Sequence, residues 1–456
     1  MGGEAAGRRP RVVILGGGFG GLSAARALRG ADVEVTVIDR TNHYLFQPLL
    51  YQVATGVLSP ADIASPIRFL LRRQPNATVL LAEVDAVDVV NRTVTAGGMR
   101  VPFDYLIVAT GSRHSYFNHP EWESLAPGLK TLEDARNIRH RFLRAFELAE
   151  KSTDPTEQQT LLTFVIVGGG PTGVELAGVL PTIARKGLRP DFRHVDPARI
   201  RVLLLEGGPR LLPTFPESLS ARALRDLETL GVQCRTNALV TRITESCVYV
   251  GDERIPTRTV YWAAGNIASP VVRSLGARLD RGGRVLVDPD LSVPGASHIF
   301  VVGDAAAALD PPADMSSPGA ANTASTGAAG SSPAGSNPPR PTYVPGVAPA
   351  ANQMGTHAAR MILRTLEGKP RVPFRYWNKG SLAVIGRNRA VADFGRFTLA
   401  GWLGWWTWVT IHILYLAGFR NRLSVMLEWA YAYFTFRPGA RLITEEEHTA
   451  AAGAKE

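Results

Sequence analysis

Cysteine is almost missing from this chain. Its 456 residues include two, Cys234 and Cys247, too few for a disulfide framework or a cysteine-rich zinc site. The nine histidines show no ligand spacing either, so no metal is expected. Also lacking is any tract of Lys and Arg interleaved with aromatics, although the formal net charge of +10 calls for an anionic partner surface. No nucleic acid is therefore expected, and the acidic leaflet of a membrane becomes the natural counterpart. No secretion signal is expected either. "MGGEAAGRRPRVVILGGG" sets charge before an apolar run, but the run is short and enters a glycine loop where a cleavage site would stand. What is present is ordinary for a globular protein: 45% hydrophobic and 20% charged residues, in a chain long enough for two or three domains.

The glycine loop is the first positive signal. Val12 to Leu15 reads as a buried strand, Gly16-Gly17-Gly18-Phe19-Gly20-Gly21 follows, and "LSAARALRG" reads as helix. Gly16, Gly18 and Gly21 occupy the demanding positions of G-x-G-x-x-G: tight turn, close approach to a pyrophosphate, and helix–strand packing. The helix start then offers free N–H groups and a positive dipole end. A second strand, "VEVTVID", ends in Asp39, placed to accept hydrogen bonds from an adenosine ribose. The pattern then repeats. "TFVIVGGGPTGVELAGVL" supplies a strand, Gly168, Gly170, Gly173 and a helix, and "RVLLLEGG" ends in Glu206 after a polar insertion, "RKGLRPDFRHVDPAR". A carboxylate there suits the 2′-hydroxyl of NADH and repels the 2′-phosphate of NADPH; Arg210 is the one nearby residue that softens the choice. Two further segments, "DYLIVATG" with Thr110 and Gly111, and "HIFVVGDAA" with Gly303 and Asp304, read as strands ending in small-residue turns. Asp304 suits a ribityl chain or flavin phosphate.

The order of glycine loop, ATG, second glycine loop and GD resembles the two-dinucleotide-binding flavoproteins. Within them, "HYLFQPLLYQVATGVLSPADIASPIR", "GPTGVELAG", "NKGSLAVIGR" and a Trp-rich end are similar to the type II NADH dehydrogenases, from Arg11 to about Arg437. The resemblance implies an α/β fold: two Rossmann-like domains, the FAD domain discontinuous and the NADH domain inserted, with membrane-associated helices at the C-terminus. The boundaries expected are 1–118 and 288–390 for FAD, with a disordered loop at 310–342; 119–287 for NADH; 391–437 for the anchoring helices; and 438–456 for a flexible tail. The implied activity is non-pumping NADH:quinone oxidoreduction, with FAD and NADH as cofactors and a membrane quinone as acceptor. By the same resemblance Gly16, Gly18, Gly21, Asp39, Gln47, Thr110, Gly111, Gly303 and Asp304 would contact FAD. Gly168, Gly170, Gly173, Glu206 and Gly265 would contact NADH. Glu175 would lie where nicotinamide and quinone approach the flavin, Lys379 of "NKGS" near the flavin and Asp304, and Phe46, Gln47 and Pro48 around ring and quinone. For Glu175 an acid interacting with the helix dipole is an equal alternative.

Two departures stand out. The family's Ala-Gln-x-x-x-Gln quinone motif reads "APAANQ" here, keeping Gln353 but placing Pro349 where the first glutamine belongs. The stretch 310–342 is small, Gly/Pro/Ser-rich and unable to bury a core. Relatives that use a thiol relay are excluded, because residues 40 to 110 hold no cysteine and Asp39-Arg40-Thr41 stands where peroxide-reducing enzymes need one. A reductase of a soluble electron carrier and a low-turnover redox-sensing flavoprotein remain as alternatives.

The end of the chain discriminates among them. Thr398 to Phe419 runs 22 residues without a formal charge, and five of the eight tryptophans fall between Trp402 and Trp429. The length suits a bilayer span. The crowded tryptophans and the flanking Arg420, Arg422, Arg437 and Arg441 suit helices lying in the interface. The expectation is a monotopic enzyme on the cytoplasmic face of the cell membrane, with one C-terminal transmembrane helix as the alternative. A homodimer interface on the same apolar end is compatible with either.

Overall fold

The computed structural model describes residues 8–310, 342–435 and 439–443. "RVVIL" forms strand β1 (Arg11–Leu15), followed by α1 (Phe19–Ala27) and β2 (Glu34–Asp39). After α2 (Leu50–Ala54) come β3 (Ala77–Leu81) and β4 (Tyr105–Val108). The motif restarts with β5 (Thr163–Val167), α3 (Pro171–Thr182), β6 (Arg201–Leu205), β7 (Val232–Arg235) and β8 (Thr259–Trp262). The chain continues through β9 (Ser292–Val293), β10 (Ala296–Val301) and α4 (Ala348–Leu366). It ends in β11 (Ser381–Gly386), β12 (Arg389–Asp393), β13 (Thr398–Ala400), α5 (Gly401–Tyr415) and α6 (Phe419–Thr435).

These elements fall into two compact units, cut at 44, 65, 113, 266 and 378; the last three cuts lie N-terminal of the 118, 287 and 390 expected from sequence, and residues 45–65, expected in the FAD domain, fall in the second unit. The first comprises Met1–Tyr44, Pro66–Arg113 and Ile267–Asn378. Its six-stranded sheet has the order β9-β10-β4-β1-β2-β3, parallel throughout except for the edge strand β9. Strands buried on both faces are near-continuous apolar runs, as β1 and β4 are. Helix α4 lies so close on α1 that a Cβ on Gly355 would come 2.0 Å from the Gly20 carbonyl oxygen. Ser23 Oγ donates to Asn352 Oδ1 across the same crossing at 2.9 Å.

The second unit comprises Leu45–Ser65, His114–Asn266 and Lys379–Glu456. Its parallel sheet has the order β7-β6-β5-β8. Val165, Leu203 and Val260 pack there with Tyr116, Trp122 and Trp262. The antiparallel sheet β11-β12-β13 carries α5, whose Gly404 faces the Ala390 carbonyl at a distance no side chain allows.

The structure departs from the sequence reading in two further places. The polar insertion before Glu206 is partly helical: Pro181, which has no N–H to donate, sits inside α3, and the backbone widens into a π-helix at Ile183–Leu188. Glu150 then accepts the N–H groups of Arg193, His194 and Val195 at 2.9, 3.0 and 2.9 Å and fixes the loop. The uncharged stretch Thr398 to Phe419 is not one helix. Its first three residues are β13, Gly401 turns at φ 66°, and α5 ends after 15 residues, about 22 Å against the ~30 Å of a bilayer core. Among the described residues no helix is long and apolar enough to cross a membrane, so the single-span alternative is set aside. The loop expected at 310–342 lies, from 311 to 341, outside the described residues, as do 438 and 444–456 of the tail.

Candidate functional site

Each unit builds the same cradle from the same three parts. At the end of β1, Gly16 takes φ 98° and turns the chain; at the end of β5, Gly168 does so with φ 111°. Such angles are free to glycine and strained for other residues. A Cβ on Gly21 would lie 1.8 Å from the Gly16 oxygen, and one on Gly173 would lie 1.9 Å from the Gly168 oxygen, so helix and turn touch backbone to backbone. The middle glycines, Gly18 and Gly170, face open space. Neither α1 nor α3 has a side-chain cap or an acid in its first turn, which leaves their N–H groups and dipoles to an anionic ligand.

The third part is the acid at the end of the next strand. Asp39 Oδ2 accepts the Gly17 N–H at 2.6 Å while Oδ1 accepts Thr41 N–H and Oγ1–H at 2.7 and 2.8 Å. Glu206 Oε2 accepts the Gly169 N–H at 2.6 Å and Oε1 the Gly208 N–H at 2.6 Å. Each carboxylate thus braces its own glycine turn and keeps lone pairs for ribose hydroxyls. Arg210 donates to the carbonyls of Phe215 and Pro213, both at 2.7 Å. Its guanidinium is engaged in the local turn.

In the first unit Asp304 lies in a short 3-10 turn after β10, and Ser112 Oγ donates to its Oδ2 at 2.7 Å. Gly111 and Gly303 both take positive φ, shaping the two turns beside it. The Thr110 hydroxyl is buried without a partner among the described residues. The open glycine turn, the uncapped helix start and the braced acid fit the pyrophosphate and ribose of FAD.

"APAANQ" opens helix α4, with Pro349 in its first turn, where an N–H is not needed and proline's fixed φ is suited. Gln353 makes a pair of backbone bonds: Oε1 accepts the Trp377 N–H and Nε2 donates to the Trp377 oxygen, both at 2.9 Å. The surviving glutamine therefore grips the backbone of the "YWN" segment.

The second unit gathers a polar group that sequence spacing could not assemble. Trp429 on α6 donates from Nε1 to Gln52 Oε1 at 2.6 Å, and Gln52 Nε2 donates to the Tyr51 hydroxyl at 2.8 Å. Tyr51 is pushed well above the usual phenol range by burial first and by the Glu175 charge second. Glu175 itself retains some exposed surface, but the protein around its carboxyl strips away water and pushes it up to about 8, against the opposing pull of the Val384 N–H. A helix-dipole acid would be shifted the other way. His412 is driven down to about 4 by burial. Its Nδ1 lies 2.7 Å from the Trp408 oxygen, an acceptor only, so Nδ1 carries the proton and the ring is neutral. Phe46 meets that ring edge-on at 6.2 Å. Gln47 Nε2 donates to the Lys130 oxygen at 3.1 Å, and Lys379 Nζ donates to the Tyr415 hydroxyl at 3.2 Å.

Helices α5 and α6 turn one stripe inward, with Trp408 and Val425 buried, and another outward. The outward stripe includes Leu403, Trp406 and Leu414 on α5 and Leu423, Leu427 and Phe434 on α6, all exposed. Two of the arginines expected to meet headgroups are used inside the protein. Arg422 caps α5 through the Leu416 and Leu414 oxygens, and Arg441 reaches Gly187 and Asp191. Arg420 remains exposed, and Arg437 lies outside the described residues.

Comparison with known proteins gives consistent matches. The pyridine nucleotide-disulphide oxidoreductase family matches residues 10–328, and the NDH2 C-terminal domain matches 378–438. The type II NADH:quinone oxidoreductase NdhA of Mycobacterium tuberculosis is 42% identical, over 97% of this chain and 91% of that protein. The type II NADH:quinone oxidoreductase Ndh of the same organism is 40% identical, over 96% and 91%. The structure of NDH2 from Plasmodium falciparum in complex with NADH shares the fold, with a TM-score of 0.83 at 20% identity over 96% of this chain and all of that one. The sulfide:quinone oxidoreductase of Aquifex aeolicus shares it at 0.68 and 20% identity, over 96% of each chain.

Proposed function

The chain belongs to the type II NADH:quinone oxidoreductases, and we propose that its first unit holds FAD, its second holds NADH, and its last two helices seat it on the membrane that dissolves the quinone. It is an FAD-dependent oxidoreductase that carries electrons from NADH to quinone. With FAD bound, the chemistry supplied is two-electron transfer between these two substrates. The protein supplies binding, orientation and protons. The observation that carries the reading is the duplicated cradle: two glycine turns, each braced by its own strand-end carboxylate, in one chain.

The residues divide accordingly. Gly16, Gly18, Gly21 and Asp39 hold the FAD pyrophosphate and ribose, and Asp304, oriented by Ser112, takes the ribityl end. Gly168, Gly170, Gly173 and Glu206 hold NADH. Glu175, protonated at neutral pH, donates a proton to the reduced quinone. Lys379 places a cation held by Tyr415, and Gln353 acts as a positioning residue through its grip on Trp377. The exposed apolar stripe of α5 and α6 rests in the cytoplasmic leaflet, where a reductase of a soluble carrier would have no use for it. The homodimer anticipated from sequence would draw on the same residues.

Steady-state kinetics of the purified holoenzyme test the assignment. NADH should be oxidised with a quinone acceptor and NADPH used poorly; a colourless protein, or one that reduces only water-soluble carriers, would refute it. Glu206→Ala removes two charge-assisted hydrogen bonds from the turn as well as the ribose partner, interactions worth roughly 1.5–3 kcal/mol each. The KM for NADH should rise at least about tenfold, with quinone KM unchanged. A wild-type KM for NADH would move the ribose contact to another residue.

A further inference from the structure

Phe117 is the odd member of an aromatic cluster. Tyr116, Trp122 and Trp262 around it are buried, yet Phe117 is 59% exposed. Its backbone is also unusual: Phe117 takes φ 49° and Asn118 φ 72°. The left-handed region is strained for a bulky side chain and tends to be held only where the surroundings over-determine it. Here they do. Trp262 Nε1 donates to the Ser115 oxygen at 2.9 Å, and the Ser115 N–H donates to the Gly265 oxygen at 3.3 Å. Tyr116 is drawn into the core, where its hydroxyl donates to the Ala126 oxygen at 2.9 Å. The next residue is thereby turned outward, with its ring laid over Gly265, where a Cβ would meet Phe117 Cζ at 2.5 Å. The tip of the ring rests on Gly265 and its centroid lies 6.1 Å from that of the tilted Trp262 ring; most of the residue is exposed.

The sheet order tells what passes over that ring. The glycine turn that takes the pyrophosphate follows β5. On one side of β5 lies β6, ending in Glu206; on the other lies β8, running into Ala263, Ala264 and Gly265. Gly168 presses directly on the Ala263–Ala264 backbone, 2.6 to 2.7 Å from where its Cβ would be. A dinucleotide centred on the turn with its adenosine ribose at Glu206 must send its other half toward β8. That direction leads to Gly265, on which the exposed Phe117 ring rests.

We propose that Phe117 is a stacking platform for the nicotinamide ring of NADH. The assignment rests on the second unit being the NADH domain. It adds a binding residue that neither the glycine motif nor the ribose acid identifies. An aromatic ring held by a strained backbone is pre-organised, so little rotamer freedom is lost when the ligand stacks on it.

The test uses the FAD-loaded, full-length enzyme and two probes, NAD⁺ and ADP-ribose, which lacks the nicotinamide. Phe117→Gly removes the ring and relieves the positive φ, so the variant should melt no lower than wild type. Its Kd for NAD⁺ should rise about three- to tenfold, the range for loss of one stacked ring, while that for ADP-ribose stays within twofold. Phe117→Tyr should restore NAD⁺ affinity. Unchanged or tighter NAD⁺ binding by the glycine variant overturns the platform, as does equal weakening of both probes, which would mean a general loosening of the domain. Failure of the wild type to bind either probe would instead count against the NADH reading itself.

Discussion

Replacing Glu175 with Gln is expected to lower quinone turnover about a hundredfold or more while anaerobic reduction of the bound flavin by NADH stays within about threefold. General acid catalysis contributes ~10²–10⁴, and glutamine keeps the size and hydrogen-bonding shape of the side chain without a transferable proton. The carboxyl is poised for this task because burial holds it at about 8: it is loaded with a proton at neutral pH and loses it just above. Wild-type quinone turnover should therefore fall as pH rises through about 8, and the Gln variant should lack that limb. A limb that persists unchanged in the variant would assign the proton to another group. Stopped-flow separation of the two half-reactions makes the distinction.

The same shift has a consequence for stability, with a definite sign. In the unfolded chain Glu175 titrates near 4.5; in the folded protein it titrates at about 8. Between those values the folded state binds more protons, so stability declines as pH rises through the window and the full deficit is present above it. A shift of this size corresponds to roughly a few kcal/mol. Glu175→Gln should accordingly raise Tm at pH 9 and leave it unchanged at pH 4. A residue that destabilises its own fold at working pH is one whose function keeps it there.

How much of this was legible beforehand depends on the range of the interaction. The cradles were legible, because turn, helix start and bracing acid fall within one βαβ unit, and only glycine satisfies Gly16, Gly21, Gly168 and Gly173. Glu206 was placed despite its insertion, since the strand before it is an unbroken apolar run. The π-helix after Pro181 was missed because the local pattern is polar and its loop is fixed from a distance by Glu150. Thr398 to Phe419 reads as one greasy helix until β12 claims its first residues as a strand. The Trp429–Gln52–Tyr51 chain joins residues hundreds apart, and no spacing rule reaches that far. Phe117 carries no motif at all; its only forewarning was the adjacent Asn, a residue tolerant of positive φ.

Membrane seating is the other large expected effect, and it needs a gentler probe than deletion. Removing α5 and α6 would also remove Trp408 and Val425, which are buried against the rest of the second unit, so loss of activity would report unfolding as readily as release. Point substitutions on the outward stripe avoid this. Leu403, Trp406 and Leu427 are 59, 47 and 63% exposed and make little of the core. Each large apolar side chain gains roughly 1.5–3 kcal/mol on leaving water; even about 1 kcal/mol apiece at a lipid interface sums to some 3 kcal/mol, more than a hundredfold in partition coefficient. The triple variant L403S/W406S/L427S should therefore keep its Tm and its turnover with a short-chain, water-soluble quinone, stay in the supernatant when sedimented with anionic vesicles, and lose most of its activity toward a long-chain quinone held in them. Residual wild-type binding should weaken with added salt, because a protein of net charge +10 also gains from the headgroups within a Debye length. If the triple variant sediments with vesicles as wild type does, the outward stripe is not the seat, and a second copy of the chain becomes the better occupant, detectable as a loss of dimer in the same variant. Unequal loss of the two quinone activities is the decisive reading, since neither dimer disruption nor a damaged catalytic centre would spare the soluble acceptor while abolishing the one dissolved in lipid.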